Sequence, residues 1–236
     1  MSFILFSNLS ESDKVNAVEK LVSQSTPSSD FFFMVVLSVL MASFGILIDS
    51  IAVVIGSMLI APLLSPILSL SLGITMSDSN LIRRSFFTLG KSILWGVIAA
   101  AVAVFLFSGG KLPVGAIKSL NPSFLYMGVA IIAGFAASFA VAKPKLNETL
   151  PGAAIAVAII PPIAVVGAGI ATLNRMIITN AVLVLLLNMI GIIFASMITF
   201  SLMHFYVKRQ IAKETVIEED KKLEEEEGKY RRNTEL

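Results

Sequence analysis

The sequence predicts an all-α polytopic membrane protein, with six transmembrane helices arranged as two inverted three-helix repeats and the second and fifth helices broken at prolines. Three observations lead there. Of 236 residues, 56% are hydrophobic and only 14% charged, whereas an average soluble chain carries about 25% charged residues. Apolar segments at roughly 31–48, 51–75, 86–108, 124–142, 153–173 and 177–206 each come near the ~20 residues that a spanning helix needs. Fragments of the first three segments also recur in the last three at a nearly constant offset.

Ahead of the spans, residues 10–24 read SESDKVNAVEKLVSQ. Ser10 and Asp13 form a capping box. Val15, Val18, Leu21 and Val22 then share one helical face, which predicts a short amphipathic helix on the membrane surface or against the protein. STPSS at 25–29 reads as a linker, and residues 1–30 form an amphipathic N-terminal region. No cleavable signal is expected there, because a basic n-region and a long apolar run are lacking.

The first two spans are joined only by Asp49 and Ser50, a tight hairpin. Asp49 is placed to cap the second span, or to meet an ion at the entrance. The sixth segment is too long for one crossing and is expected to tilt or project into water. The tail, residues 207–236, is highly charged and does not sustain three apolar heptads. It reads as a helical extension that frays beyond Gly228, or as an oligomer-stabilising stalk.

The repeat lies in the membrane domain, 31–206. Ala42-Ser43-Phe44 recurs as Ala137-Ser138-Phe139, an offset of 95 from 42 to 137. Pro66-Ile67 and Gly73-Ile74 recur as Pro162-Ile163 and Gly169-Ile170, an offset of 96. Gly96 and Phe105 recur as Gly191 and Phe200, again at 95. The units are about 31–108 and about 124–206. With three spans in each, the second copy enters the membrane from the opposite side, which relates the two by a pseudo-two-fold axis in its plane.

Six spans put both termini on one side. That side holds Lys14, Lys20, Arg83, Arg84, Lys143, Lys145, Lys208, Arg209 and Lys213, against Lys111, Lys118 and Arg175 on the other. The positive-inside rule makes it the cytoplasm.

Candidate site residues come from the prolines. Pro62 and Pro66 lie in IAVVIGSMLIAPLLSPILSLSLGIT, and Pro161 and Pro162 lie in AAIAVAIIPPIAVVGAGIAT. Each lacks an N–H and clashes with the carbonyl four residues back. Such breaks persist in hydrocarbon only where they face protein or a wet cavity. Two of them in corresponding halves point to a transport site near the midplane. Ser57, Ser65 and Ser69 line the first break, and each also has a local option in the carbonyl one turn back. Asn188, deep in the sixth span, needs a partner on another helix. Ala130, Gly134 and Ser138 form a small-residue row suited to close packing.

The stretches AVVIGSMLIAPLLSPILSLSLGI and LPGAAIAVAIIPPIAVVGAGIA together resemble the domain of unknown function 389 family, a group of hydrophobic membrane proteins of bacteria and archaea. The resemblance implies a polytopic prokaryotic membrane protein and leaves the substrate open. Many members are longer, with a soluble domain before the membrane region.

The expected function is transport, by a carrier or channel-like protein, of a small polar solute or ion in the cell membrane of a prokaryote. The expected partners are the lipid bilayer, that solute and further copies of the chain as a homo-oligomer, with no nucleic acid. The alternative is a non-transporting sensor or scaffold module that recruits a partner through its charged tail. An enzyme is disfavoured. The chain has no cysteine and one histidine, His204, and between Phe31 and Tyr206 the acidic residues Asp49, Asp78 and Glu148 all fall in connections. No catalytic residue, metal ligand set or cofactor is therefore expected.

Overall fold

The computed structural model describes residues 11–25, 28–108, 123–143, 149–208, 210–217 and 221. Among them every regular element is helical. The helices are α1 (Glu11–Ser23), α2 (Ser29–Leu47), α3 (Ile51–Ile60), α4 (Leu64–Met76), α5 (Ser79–Phe107), α6 (Phe124–Ala142), α7 (Thr149–Ala171) and α8 (Arg175–Leu202). A 3-10 turn, Phe205–Lys208, follows, and 210–217 are helical. Ser10, the 26–27 part of the linker and the tail beyond Gly228 lie outside the described residues.

Four helices, α2, α5, α6 and α8, are each long and apolar enough to cross a membrane, and the bent α3–α4 pair is a fifth if it counts as one span. The outward side chains are apolar, among them Phe33, Ile51, Leu59, Phe105, Ile132 and Phe194. An apolar exterior of this extent is a lipid-facing surface, and the chain is a multi-pass membrane protein. The two proline-bearing elements hold its centre. Ile67, Leu68 and Leu72 of α4 and Ile159, Ile160 and Ile163 of α7 are fully buried. Around them α5 packs along α7, α8 along α4, α6 and α7, and α2 along α3 and α5.

The hairpin turns share one backbone device. Asp49, Ser77 and Leu173 have φ of 54°, 53° and 53°. The amide after each closes a bond to a glycine carbonyl five residues back. These are Ser50 N to Gly45 O at 2.8 Å, Asp78 N to Gly73 O at 2.9 Å, and Asn174 N to Gly169 O at 2.9 Å. That pattern satisfies carbonyls the helix end would otherwise leave open. The glycines are needed for space. A Cβ on Gly45, Gly73 or Gly169 would sit 2.9, 3.0 or 3.1 Å from a backbone nitrogen of the next helix. The turns at 73–82 and 169–178 match in detail at an offset of 96. Asp78 Oδ1 accepts from Asn80 N and Leu81 N, and Asn174 Oδ1 accepts from Met176 N and Ile177 N.

The structure corrects the expected third span. It begins at Ser79 rather than near 86, because Asp78 caps a helix whose first turns carry Arg83 and Arg84. Asp49 is not a cap. It is exposed, forms the left-handed end of the α2 hairpin, and leaves Ser50 as the N-terminal boundary of α3 with no side-chain cap. The last span stops at Leu202 and does not run on as a straight stalk. His204 takes φ 58° and the chain turns back. Phe205, Ala212 and Val216 are buried, and Arg84 Nη2 donates to the Val216 carbonyl at 3.4 Å.

Candidate functional site

The α3–α4 interruption follows from Pro62. The residue before a proline is forced out of the α region, and Ala61 has φ −72° and ψ 119°. Helix α3 ends there, and α4 restarts at Leu64, bent by 59° from it. Pro66 does not make a second break. It is the third residue of α4, where its missing N–H removes a donor that would have had no intrahelical partner. The N-terminus of α4 has no side-chain cap, unlike those of α5, α6 and α8. The interruption thus brings the carbonyl end of one half-helix and the amide end of another to one place, with opposite partial charges.

The expected break of the fifth span is absent. Helix α7 runs from Thr149 to Ala171 with Pro161 and Pro162 inside it. Proline's fixed φ suits a helix, so the main obstacle is the carbonyl left without a donor. Asn188 on α8 removes half of that obstacle, because its Nδ2 donates to the Ala158 carbonyl at 2.6 Å. That carbonyl is the one Pro162 cannot serve. Asn188 is 3% exposed, and its Oδ1 has no hydrogen-bond partner. A buried acceptor left unpaired is rare.

The serines divide. Ser57 is buried and donates to Val54 O at 2.6 Å, while its carbonyl accepts from Ser38 Oγ at 2.7 Å. This is the local bond expected of a serine in a helix, together with an interhelical one at the end of α3. Ser65 Oγ donates to Gln24 Oε1. Ser69 Oγ lies 2.5 Å from the Leu21 carbonyl and 2.7 Å from that of Ser65. Pro66, Pro161, Pro162 and Asn188 therefore lie on helices that pack together, with Pro62 in the gap between two of them, since α7 touches α3, α4 and α8 and α8 touches α4. Asp49 stays at the hairpin end, away from them.

Several contributors were missed. Ser38 reads in sequence as one more serine in an apolar run. Ser85 is fully buried, with a hydroxyl that has no partner. Thr88 and the end of α1 meet through Thr88 Oγ1, which donates to Ser25 O at 2.8 Å. Nothing in sequence joins these segments, although the amphipathic face of α1 shows that it docks somewhere. Among the described residues no three of His, Cys, Asp and Glu gather to hold a metal ion.

The small-residue row of α6 packs on α8. A Cβ on Gly134 would lie 2.7 Å from the Ile192 carbonyl oxygen, and one on Gly191 would lie 3.0 Å from Ala130 Cβ.

A family model described as Domain of unknown function (DUF389) matches residues 58–194, a stretch that holds the interruption, both α7 prolines and Asn188. An uncharacterized protein of Methanocaldococcus jannaschii is 33% identical over 183 residues, which cover 74% of this chain and 54% of that protein. The chain spans about half the length of this curated relative. No solved structure matches.

Proposed function

This chain belongs to the DUF389 family, and from that premise we propose that it is a membrane transport protein, carrier or channel-like, for a small polar solute or ion. The observation that carries the reading is the 59° interruption between α3 and α4. Unpaired backbone in hydrocarbon costs several kcal/mol per group, so a span is interrupted only where protein or water receives it. Here α3 and α4 both pack on α7, and α4 also packs on α8, where Asn188 holds an unpartnered amide oxygen. The polar groups are of both signs and uncharged, which suits a small solute bound and released near the midplane.

In this reading α2, α3–α4, α5, α6, α7 and α8 are six spans in two inverted repeats. The matched turns at 73–82 and 169–178 support the repeat. Both termini lie in the cytoplasm of a prokaryotic cell. The Lys/Arg asymmetry supports this, as does the meeting of Ser25 and Val216 with the first turns of α5. The competing reading, a packed sensor or scaffold module, draws on the internal partners that Ser57, Ser65 and Ser69 already have.

The test is permeation. Proteoliposomes of the full chain are challenged with a panel of small neutral solutes and monovalent ions, read by light scattering and ion-sensitive dyes. At least one is expected to cross faster than in empty liposomes. Pro62→Ala lets the helix continue, since alanine is favoured by about 3 kcal/mol in a helix interior. Its melting temperature should not fall, and permeation should drop roughly tenfold, as the loss of ~1.4 kcal/mol of binding would give. A panel that never exceeds the empty control contradicts the proposal.

A further inference from the structure

Helix α1 is charged and amphipathic, and lies ahead of the apolar spans, yet it is built into one end of the bundle. Val18, Leu21 and Val22 are fully buried and Ala17 nearly so, while Ser12, Asn16, Glu19, Lys20 and Ser23 face outward. Its packing partners are α4, α6 and the 3-10 turn after α8. The polar contacts concentrate at its C-terminal turn, where a helix leaves carbonyls without intrahelical donors. The Leu21 carbonyl receives Ser69 Oγ at 2.5 Å. The Ser25 carbonyl receives Thr88 Oγ1 at 2.8 Å. The Gln24 side chain receives Ser65 Oγ.

Two of these three hydroxyls, Ser65 and Ser69, sit in the first two turns of α4, immediately beyond the interruption. Hydroxyls engaged by α1 are not offered to a solute. The C-terminal turn of α1, the negative end of its dipole, thus meets the first two turns of α4. We propose that α1 is the gate of the pathway on the side of the termini. Docked, it withholds Ser65 and Ser69; undocked, it opens the lower wall of the interruption to water. This deepens the transport reading and rests on it. The geometry suits a gate better than a fixed strut. The outer face of α1 is polar and tolerates water, and its apolar face is one compact stripe of four side chains that returns it to its seat.

The chain has no cysteine, so single cysteines report cleanly. In inside-out vesicles a membrane-impermeant maleimide is applied to Ser65→Cys, alone and together with Val22→Asp, which puts a carboxylate in the seat of α1. The expected result is that Val22→Asp speeds modification of Ser65→Cys by roughly tenfold or more, a shift of the opening equilibrium by about one decade. A cysteine at Ser79, exposed on the same side of the membrane at the start of α5, should keep its rate. Equal rates at Ser65→Cys in the two backgrounds overturn the gate. As an independent measure in a protein with α1 unperturbed, Gln24→Cys with Ser65→Cys is joined by a short bifunctional methanethiosulfonate and released by a reductant. Joining should close permeation, and reduction should restore it. Permeation that continues at full rate in the joined protein overturns the proposal. The labelling requires no solute, so it judges the gate even if the permeability panel has failed the transport reading.

Discussion

Replacing Asn188 with leucine should lower the melting temperature of the parent chain and cost little once Pro162 is alanine. In the parent, Asn188 Nδ2 is the donor on the Ala158 carbonyl, because Pro162 has no N–H to offer. A buried carbonyl stripped of its donor costs about 1–3 kcal/mol. Against this, leucine also removes the unpartnered Oδ1, whose burial is itself unfavourable. The two terms oppose, so Asn188→Leu alone should cost only about 1 kcal/mol, near the ~0.6 kcal/mol average of interhelical bonds in membranes. With Pro162→Ala the backbone N–H of residue 162 returns to the Ala158 carbonyl, and the leucine should then be neutral or stabilising. The coupling energy of the cycle should be about 1–3 kcal/mol, where unconnected sites would add within ~0.5 kcal/mol. Melting curves of the four proteins in one detergent give it. Additivity would mean that the amide does not stand in for the donor that Pro162 lacks.

The second large effect is expected at Gly167, where α7 crosses α5. A Cβ there would lie 2.4 Å from Ala100 Cβ, 2.7 Å from the Val97 carbonyl oxygen and 2.8 Å from Ala101 N. Two of those atoms are helix backbone and cannot rotate away. Overpacking of a tight core typically costs about 1–3 kcal/mol, and Gly167→Val adds two methyl groups beyond the Cβ. Because α5 and α7 form one of the main seams of the bundle, the variant should lose its monodisperse peak on size exclusion or melt far below the parent. Gly90 and Gly128 are the controls, since nothing lies within 4 Å of a Cβ on either. Alanine at those positions should be neutral or slightly stabilising, since it is the better helix former by about 1 kcal/mol. Equal behaviour of Gly167→Val and Gly90→Ala would show that α5 and α7 do not meet as described.

How far the sequence could be read depends on where each cause lies. The α6 segment, expected at 124–142, has those bounds, because its ends are abrupt changes from apolar to polar sequence. The interruption at Pro62 was legible because its cause is local. The continuity of α7 was not, because the group that replaces the donor missing at Pro162 sits 30 residues on, from Ala158 to Asn188. Proline chemistry alone states the cost of a missing donor and does not reveal a substitute on another helix. The left-handed turns were hidden for a similar reason. Leu173 at φ 53° has no local preference for that region and is held there by the Gly169–Asn174 closure. The early start of α5 was available in Asp78, an N-cap type, but hydropathy gave the polar first turns to a connection. The face of α1 was legible from its periodicity. Its seat beneath Ser65 and Ser69 was not, since periodicity names a buried face and not what buries it.

In the transport reading proposed above, the interruption between α3 and α4 faces a water-filled pathway that opens to each side of the membrane. A single cysteine at Ser57, one turn before the end of α3 and buried in the described state, tests it most directly. Right-side-out and inside-out vesicles are treated with the same membrane-impermeant thiol reagent, and the labelled fraction is followed in time. Slow but complete modification is expected from both faces, slowed further by whichever solute permeates. No modification from either face, while a cysteine at Ser123 reacts fully, would contradict it and leave a packed bundle with a bent helix.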